Sequence, residues 1–156
     1  VKVLNLGCGN KLIVAKPGEI VVNHDRMKHR PEVNVAHDLN LLPWPWRDNT
    51  FSLVHACSVL EHLRIPLVDS MGECWRILAP GGHLRVKVPY WNSDAAHSDP
   101  THYWTFSPHV FEYFDPSAKR GQQYGFYEGV RPWFIAHPPT INRARTSIIT
   151  VLEVRK

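Results

Sequence analysis

Apolar and polar positions divide the first ninety or so positions of the chain into short buried runs, each closed by a turn. Val1 to Leu6 reads as a buried strand, Glu19 to Asp25 ("EIVVNHD") as a second, and Glu32 to Asp38 ("EVNVAHD") has the alternation of a third. Phe51 to Ala56 makes a fourth, and His83 to Pro89 a fifth, entered through the turn residues Pro80-Gly81-Gly82. Between the last two lies the one clear helix: Pro66 suits a first helical position, and Leu67, Met71, Trp75 and Leu78 recur at helical spacing. Ser147 to Val154 forms the final strand, and Arg131 to Ala136 pairs with it as a hairpin joined by a proline-rich loop.

Strands joined by short crossovers predict an α/β fold with a mainly parallel sheet, its ligand at the C-terminal edge of the strands. The connection from Gly9 to Glu19 contains Pro17-Gly18 and leaves room for only a turn or two of helix. The segment from Trp91 to Gly129 is long, aromatic and rich in histidine. It starts where the fifth strand ends, so residues 91–129 are expected to form a substrate lid inserted in a single domain spanning 1–156.

Composition narrows the class. With 156 residues, 44% hydrophobic and 21% charged, the chain has the make-up of one soluble globular domain. No apolar run approaches the ~20 residues of a membrane span, and no signal-peptide pattern opens the chain, so no membrane partner is expected. Val1 stands inside an apparent strand, which predicts a preceding segment or a removed initiator Met. Cys8, Cys57 and Cys74 are widely spaced in apolar contexts, which favours reduced thiols and a cytoplasmic location over a disulfide frame. The net charge of +4 is carried by scattered Lys and Arg, so nucleic acid is left open as a partner without being indicated.

The chemistry begins at "LGCGN". A glycine pair after a buried strand lets the backbone approach a ligand closely, but a dinucleotide fingerprint would need a third glycine where Leu12 stands. With the absence of a Tyr-x-x-x-Lys pair, that counts against a nicotinamide-linked oxidoreductase. Asp25 closes the second strand, where an acid accepts both hydrogen bonds of a ribose diol. Asp38 closes the third, where it reads an adenine amino group while Leu39 packs on the ring. Ribose and adenine without pyrophosphate is the ligand this set suits.

Through "VLNLGCGN", "VVNHD", "HDLNLLPWPWRDNTFSLVHACSVLEHL" and "ECWRILAPGGHLRVKVP", in that order, the chain resembles the class I S-adenosylmethionine-dependent methyltransferases of the small type 11 kind. The resemblance implies a Rossmann-like fold, a mostly parallel seven-stranded sheet with one antiparallel strand near its edge. It implies S-adenosylmethionine as cofactor and methyl transfer to O or N of an acceptor it does not identify. It places Gly7, Cys8, Gly9 and Asn10 along the methionine moiety, Asp25 on the ribose with Arg26 beside the adenine, Asp38 and Leu39 at the adenine edge, and Ala56 and Cys57 facing the sulfonium. Asn5 stands where the family carries an acid, Lys11 where it carries a third glycine, and Ser52 where it carries Asp. These departures, with the short first helix, motivate an alternative: a non-catalytic protein that binds S-adenosylmethionine or S-adenosylhomocysteine as a sensor or as partner of a catalytic subunit.

For a proton on the acceptor, "HSDPTHYW" offers His102 as first candidate base, with His97 and Asp99 behind it. A metal held by His97, Asp99 and His102 is not expected, because ligands so close on one loop rarely converge and Pro100 constrains the turn. Ser58-Val-Leu-Glu61 is a capping-box pattern that gives Glu61 a structural task, and His62 is assigned to neither site nor core. The fourth strand's end, "HACSVLEHL", lacks the Asn/Asp-Pro-Pro-aromatic signature of DNA-amine methylation. Trp44-Pro45-Trp46 closes a loop over the adenine side of the sheet, or stacks on a base. The small domain leaves room for a homodimer that completes the pocket.

Overall fold

The computed structural model describes residues 1–127 and 129–156. Glu128, within the segment expected to form a lid, lies outside the described residues. Seven strands, β1 (Lys2–Leu6), β2 (Ile20–Asp25), β3 (Val35–Ala36), β4 (Phe51–Cys57), β5 (Leu78–Pro89), β6 (Trp133–Ile141) and β7 (Ser147–Val154), form one sheet in the order β3-β2-β1-β4-β5-β7-β6. Every pair from β3 across to β5 is parallel, and β7 runs antiparallel to both β5 and β6. This is the Rossmann-like arrangement expected, with β7 as the one antiparallel strand. The chain moves outward from β1 to β3 and then restarts on the other side at β4. The crevice between the ends of β1 and β4 is therefore a topological switch point, where ligands bind in such sheets.

Local details depart from the sequence pattern for physical reasons. The expected third strand shrinks to two residues, since β3 is an edge strand paired only through His24–Val35 and Asp25–Ala36. No helix forms between Gly9 and Ile20; the loop is instead held by amides. Asn5, buried in β1, donates to the Lys11 carbonyl (2.8 Å) and to Asn23 Oδ1 (2.9 Å), while the Asn23 amide exchanges bonds with the Ile13 backbone (3.0 and 3.1 Å). The turn at Pro80-Gly81-Gly82 lies within β5 as an irregularity between the Phe51–Leu78 and Leu53–His83 pairs. Pro138 and Pro139 fall within β6, an edge strand with register breaks on both sides of His137, where a missing N–H costs least.

The helix α1 (Leu67–Ile77) starts after Pro66, which is the cap and not the first helical residue. It buries Ser70, Met71, Cys74 and Ile77, a stripe turned from the expected one; Leu67 and Trp75 are only partly buried and Leu78 opens β5. Its Arg76 pins the preceding loop. The guanidinium donates to Glu73 (2.7 and 2.8 Å), Asp48 (2.8 Å) and the carbonyls of Trp44 (3.1 Å) and Trp46 (2.7 Å). Trp44 is buried, its indole N–H bonded to the Leu39 carbonyl (3.0 Å), and Trp46 meets His24 and Phe51 edge-on, so both tryptophans pack on their own fold. The segment after β5 joins the same core: Phe106, Phe111 and Phe114 are buried with Leu4, Val54 and Val86, ahead of the short helix α2 (Lys119–Tyr124). No described helix is long and apolar enough to cross a membrane.

Candidate functional site

A cavity of about 540 Å³ opens at the switch point, within the range of small-molecule sites. One end is walled by Gly7, Gly9, Asp25, Arg26, Asp38 and Leu39, the other by Ser58, His62, Arg64, Thr101 and Tyr103.

At the first end, the glycine loop is zipped to the end of β2. The Gly7 N–H donates to His24 Nδ1 (3.3 Å), the Cys8 N–H to the His24 carbonyl (2.7 Å), and the Gly9 N–H to Asp25 Oδ2 (2.7 Å). Gly7 and Gly9 have φ of 61° and 49°, a region that favours glycine, and a Cβ on Gly7 would lie 2.5 Å from Val59 Cγ2. Nothing lies within 4 Å of where a Cβ on Gly9 would be. Asp25 Oδ1 accepts from the Arg26 N–H (2.7 Å), so its carboxylate is aimed by two backbone amides and keeps acceptor capacity at the cavity wall. Asp38 accepts from the Asn40 backbone and side-chain amides (3.0 and 2.9 Å), which with Arg26 at 3.6 Å hold its carboxyl below the usual range. His24 is buried against Trp46, donating Nε2–H to the His37 carbonyl (3.0 Å), and burial keeps it neutral by lowering its pKa.

Six of the ten expected cofactor residues (Gly7, Gly9, Asp25, Arg26, Asp38 and Leu39) wall the cavity. The fold places the other four beside it. Cys8 and Ala56 are buried, Asn10 is exposed and accepts a bond from Arg30 (3.0 Å), and Cys57 is half-buried, with its thiol pushed up by burial. The lining begins at Ser58, the residue after Cys57, whose φ of 58° is unusual for a side chain of its kind.

The second end differs from expectation. Glu61 is 1% exposed, in a 3-10 turn over Leu60–His62, and neither carboxylate oxygen has a hydrogen-bond partner among the described residues. The capping box predicted from Ser58 and Glu61 is not formed. Burial pushes the Glu61 carboxyl up to about 7. Beside it, His62 and His102 meet edge-on at 4.7 Å, and burial lowers the His62 pKa, with the neighbouring His102 acting in the same direction. His62 Nδ1 is 2.8 Å from Thr101 Oγ1, which donates its only proton to Asp99 (2.7 Å); His102 Nδ1 donates to the Ala96 carbonyl (3.2 Å). The Thr101 hydroxyl and amide together hold Asp99 below its ordinary range. His97 is bonded to the Trp91 carbonyl (2.9 Å) at the surface.

Thus Asp99 orders the loop, His97 lies apart, and His102 reaches the cavity wall only behind His62. His24, His62, Arg64 and Tyr103 are site residues the sequence analysis did not assign. Their signal was weak, because Tyr103 and Trp104 reach the site through N–H bonds to the Glu61 carbonyl (2.7 and 3.2 Å) from far along the chain.

The site is thus a glycine-lined cavity at the switch point of an α/β sheet, with carboxylates at or just beyond two successive strand ends. The model of the family described as "Methyltransferase domain" matches residues 4–86, and the chain belongs to that family, the class I S-adenosylmethionine-dependent methyltransferases. Among curated proteins no match is found. Solved structures share the fold at low identity. The YcgJ protein from Bacillus subtilis is 16% identical with a TM-score of 0.64, covering 99% of this chain and 92% of its own. A SAM-dependent methyltransferase from Archaeoglobus fulgidus is 14% identical with a TM-score of 0.63, covering 97% and 85%. A putative methyltransferase from Haloferax volcanii, in complex with the Trm112 methyltransferase activator, is 15% identical with a TM-score of 0.61, covering 99% and 83%.

Proposed function

We propose that the protein transfers a methyl group from S-adenosylmethionine to oxygen or nitrogen of an acceptor entering at the His62 end of the cavity. The observation that carries this reading is the single cavity that joins the glycine loop and Asp25 to His62, Thr101 and Tyr103. The residues suit the cofactor: Asp25 is held with acceptor capacity for a ribose diol, Asp38 offers an acceptor beside Leu39 for the adenine, and Gly9 leaves backbone open. The cofactor, when bound, supplies a methyl already activated on a sulfonium. The protein's task is then mainly alignment, worth up to roughly 7–11 kcal/mol.

Of the residues expected to act on the acceptor's proton, His102 stands behind His62, so in the metal-free protein the proton is proposed to go to His62, the ring that faces the cavity, with His102 positioning it edge-on. His97 and Asp99 hold the loop in place. Residues 91–129 serve as the acceptor side of a single domain, through Thr101 and Tyr103. The three free cysteines suit a cytoplasmic protein.

A thermal-shift titration with S-adenosylmethionine, S-adenosylhomocysteine, NAD and ATP, on the protein and on Asp25→Ala, tests the reading. Stabilisation by the first two alone, lost in the variant, is expected; saturation at 100 times Kd is worth about 2.7 kcal/mol. No shift with either overturns it. One observation favours the second reading, binding without transfer. Asn5 is tied to the loop, so the methionine end has no acid from that position. Cofactor binding with no label transferred to any acceptor of a broad panel would select it.

A further inference from the structure

We propose that Glu61, His62 and His102 form a binding site for one divalent transition-metal ion at the acceptor end of the cavity. One ligand atom from each residue lies within 4.8 Å of the others. Tetrahedral ligands at ~2.1 Å from a metal stand about 3.4 Å apart, so closing the set on an ion takes side-chain shifts of about 1.4 Å or less.

The hydrogen-bond network orients the two imidazoles. The Ala96 carbonyl only accepts, so His102 Nδ1 carries a proton, and in the neutral ring the lone pair lies on Nε2, which is 3.8 Å from Asp99 Oδ2. The Thr101 hydroxyl gives its proton to Asp99, so it accepts from His62 Nδ1, and the lone pair of that ring also lies on Nε2. Glu61 contributes two oxygens that are buried and unpartnered. Buried carboxylate oxygens without a donor are costly, and a cation bound at Glu61 would offset that cost. The supports at Ala96 and Thr101 are those that orient ligating imidazoles in metal sites generally.

The ligand set selects the class of ion. Two imidazoles and one carboxylate suit zinc, iron(II) or cobalt(II); magnesium and calcium favour all-oxygen sets. Three protein ligands leave coordination positions open, and His62 lines the cavity, so an exchangeable ligand reaches the ion from the side where the acceptor enters. The His97–Asp99–His102 set from one loop is not this site: His97 is bonded elsewhere, and only His102 is shared.

The test needs no cofactor, so its outcome is independent of the methyl-transfer reading. Chelator-treated protein is titrated with cobalt(II), followed by visible absorption, and with zinc and magnesium by calorimetry. One equivalent of cobalt and of zinc is expected to bind, at least tenfold more weakly in Glu61→Gln and in His62→Gln, with magnesium weaker still. Thr101→Val, which removes the hydroxyl that links His62 to Asp99, should weaken binding about 10–100-fold. Circular dichroism and unfolding curves confirm that each variant is folded before it is scored. The proposal is overturned by the absence of one-to-one binding, or by equal affinity in the folded Glu61 and His62 variants, which would put the ion on surface histidines. Magnesium binding as tight as zinc would overturn the assignment of the ion's class.

Discussion

Glu61 makes the stability of the metal-free protein depend on pH in an unusual direction. Its carboxyl has an ordinary value of 4.5 and is pushed up to about 7 in the folded chain by burial. Between those values the folded state holds a proton that the unfolded state has released, so stability is greatest below 4.5 and falls as pH rises through the folded pKa. At 1.36 kcal/mol per pH unit that difference is worth about 3 kcal/mol, most of it lost between pH 5 and 8. His24, His55 and His62, whose pKa values burial lowers, act oppositely: their contribution is present above about 6.5 and is lost as pH falls. Comparison with Glu61→Gln separates the two effects, since glutamine occupies the same space without titrating. Urea unfolding at pH 5, 6, 7 and 8, with chelator present, should show the protein losing about 2–3 kcal/mol relative to the variant, roughly 5–10 °C in Tm for a chain of this size. Parallel pH profiles would refute the argument and show that Glu61 ionises in the folded chain at its ordinary pKa.

Three further outcomes follow from particular contacts. Gly7→Ala places a Cβ 2.5 Å from Val59 Cγ2 at a φ of 61°, and should cost about 2–4 kcal/mol in urea unfolding; Val59→Ala should recover part of it, and failure of that rescue would show that backbone strain alone is responsible. Arg76→Met leaves the half-buried Glu73 without its cation, with only the Trp44 N–H still donating to it, and should cost about 3 kcal/mol. The double variant with Glu73→Gln should cost less than Arg76→Met alone, and equal costs would remove the ion pair from the explanation. Asp25→Asn keeps an acceptor for only one of the Gly9 and Arg26 amides, so it should weaken S-adenosylmethionine binding more than tenfold in calorimetry while changing stability by about 1 kcal/mol; unchanged affinity would remove Asp25 from the ribose.

Much of the frame was legible because local pattern and position in the sheet agreed. Ser147–Val154 alternates along its length, since β7 rests one face on the core, and its bounds could be read residue by residue. Asp25 and Asp38 could be assigned because a carboxylate just past a strand's end must lie at the sheet's edge, whatever the rest of the fold does. Where tertiary context decided, the pattern misled. Proline in β6 looked like a loop because its edge position was not visible, and the stretch after Gly9 looked helical because the Asn5–Asn23 amide ladder that fixes it pairs separate strands. Glu61 is the sharpest case. A Ser-x-x-Glu spacing is a sound sign of a capped helix, but here the chain turns through a positive φ at Ser58, and the carboxylate is carried inward to meet a histidine from another segment. The loop bearing His102 closes on Glu61 through backbone bonds from Tyr103 and Trp104, groups that carry no sequence signature. The His62 end of the cavity is thus made by main-chain pairing between distant segments, and side-chain spacing within either segment does not encode it. That is why much of the glycine-loop end of the cavity was legible from the strands that carry it, and the opposite end only once the chain was folded.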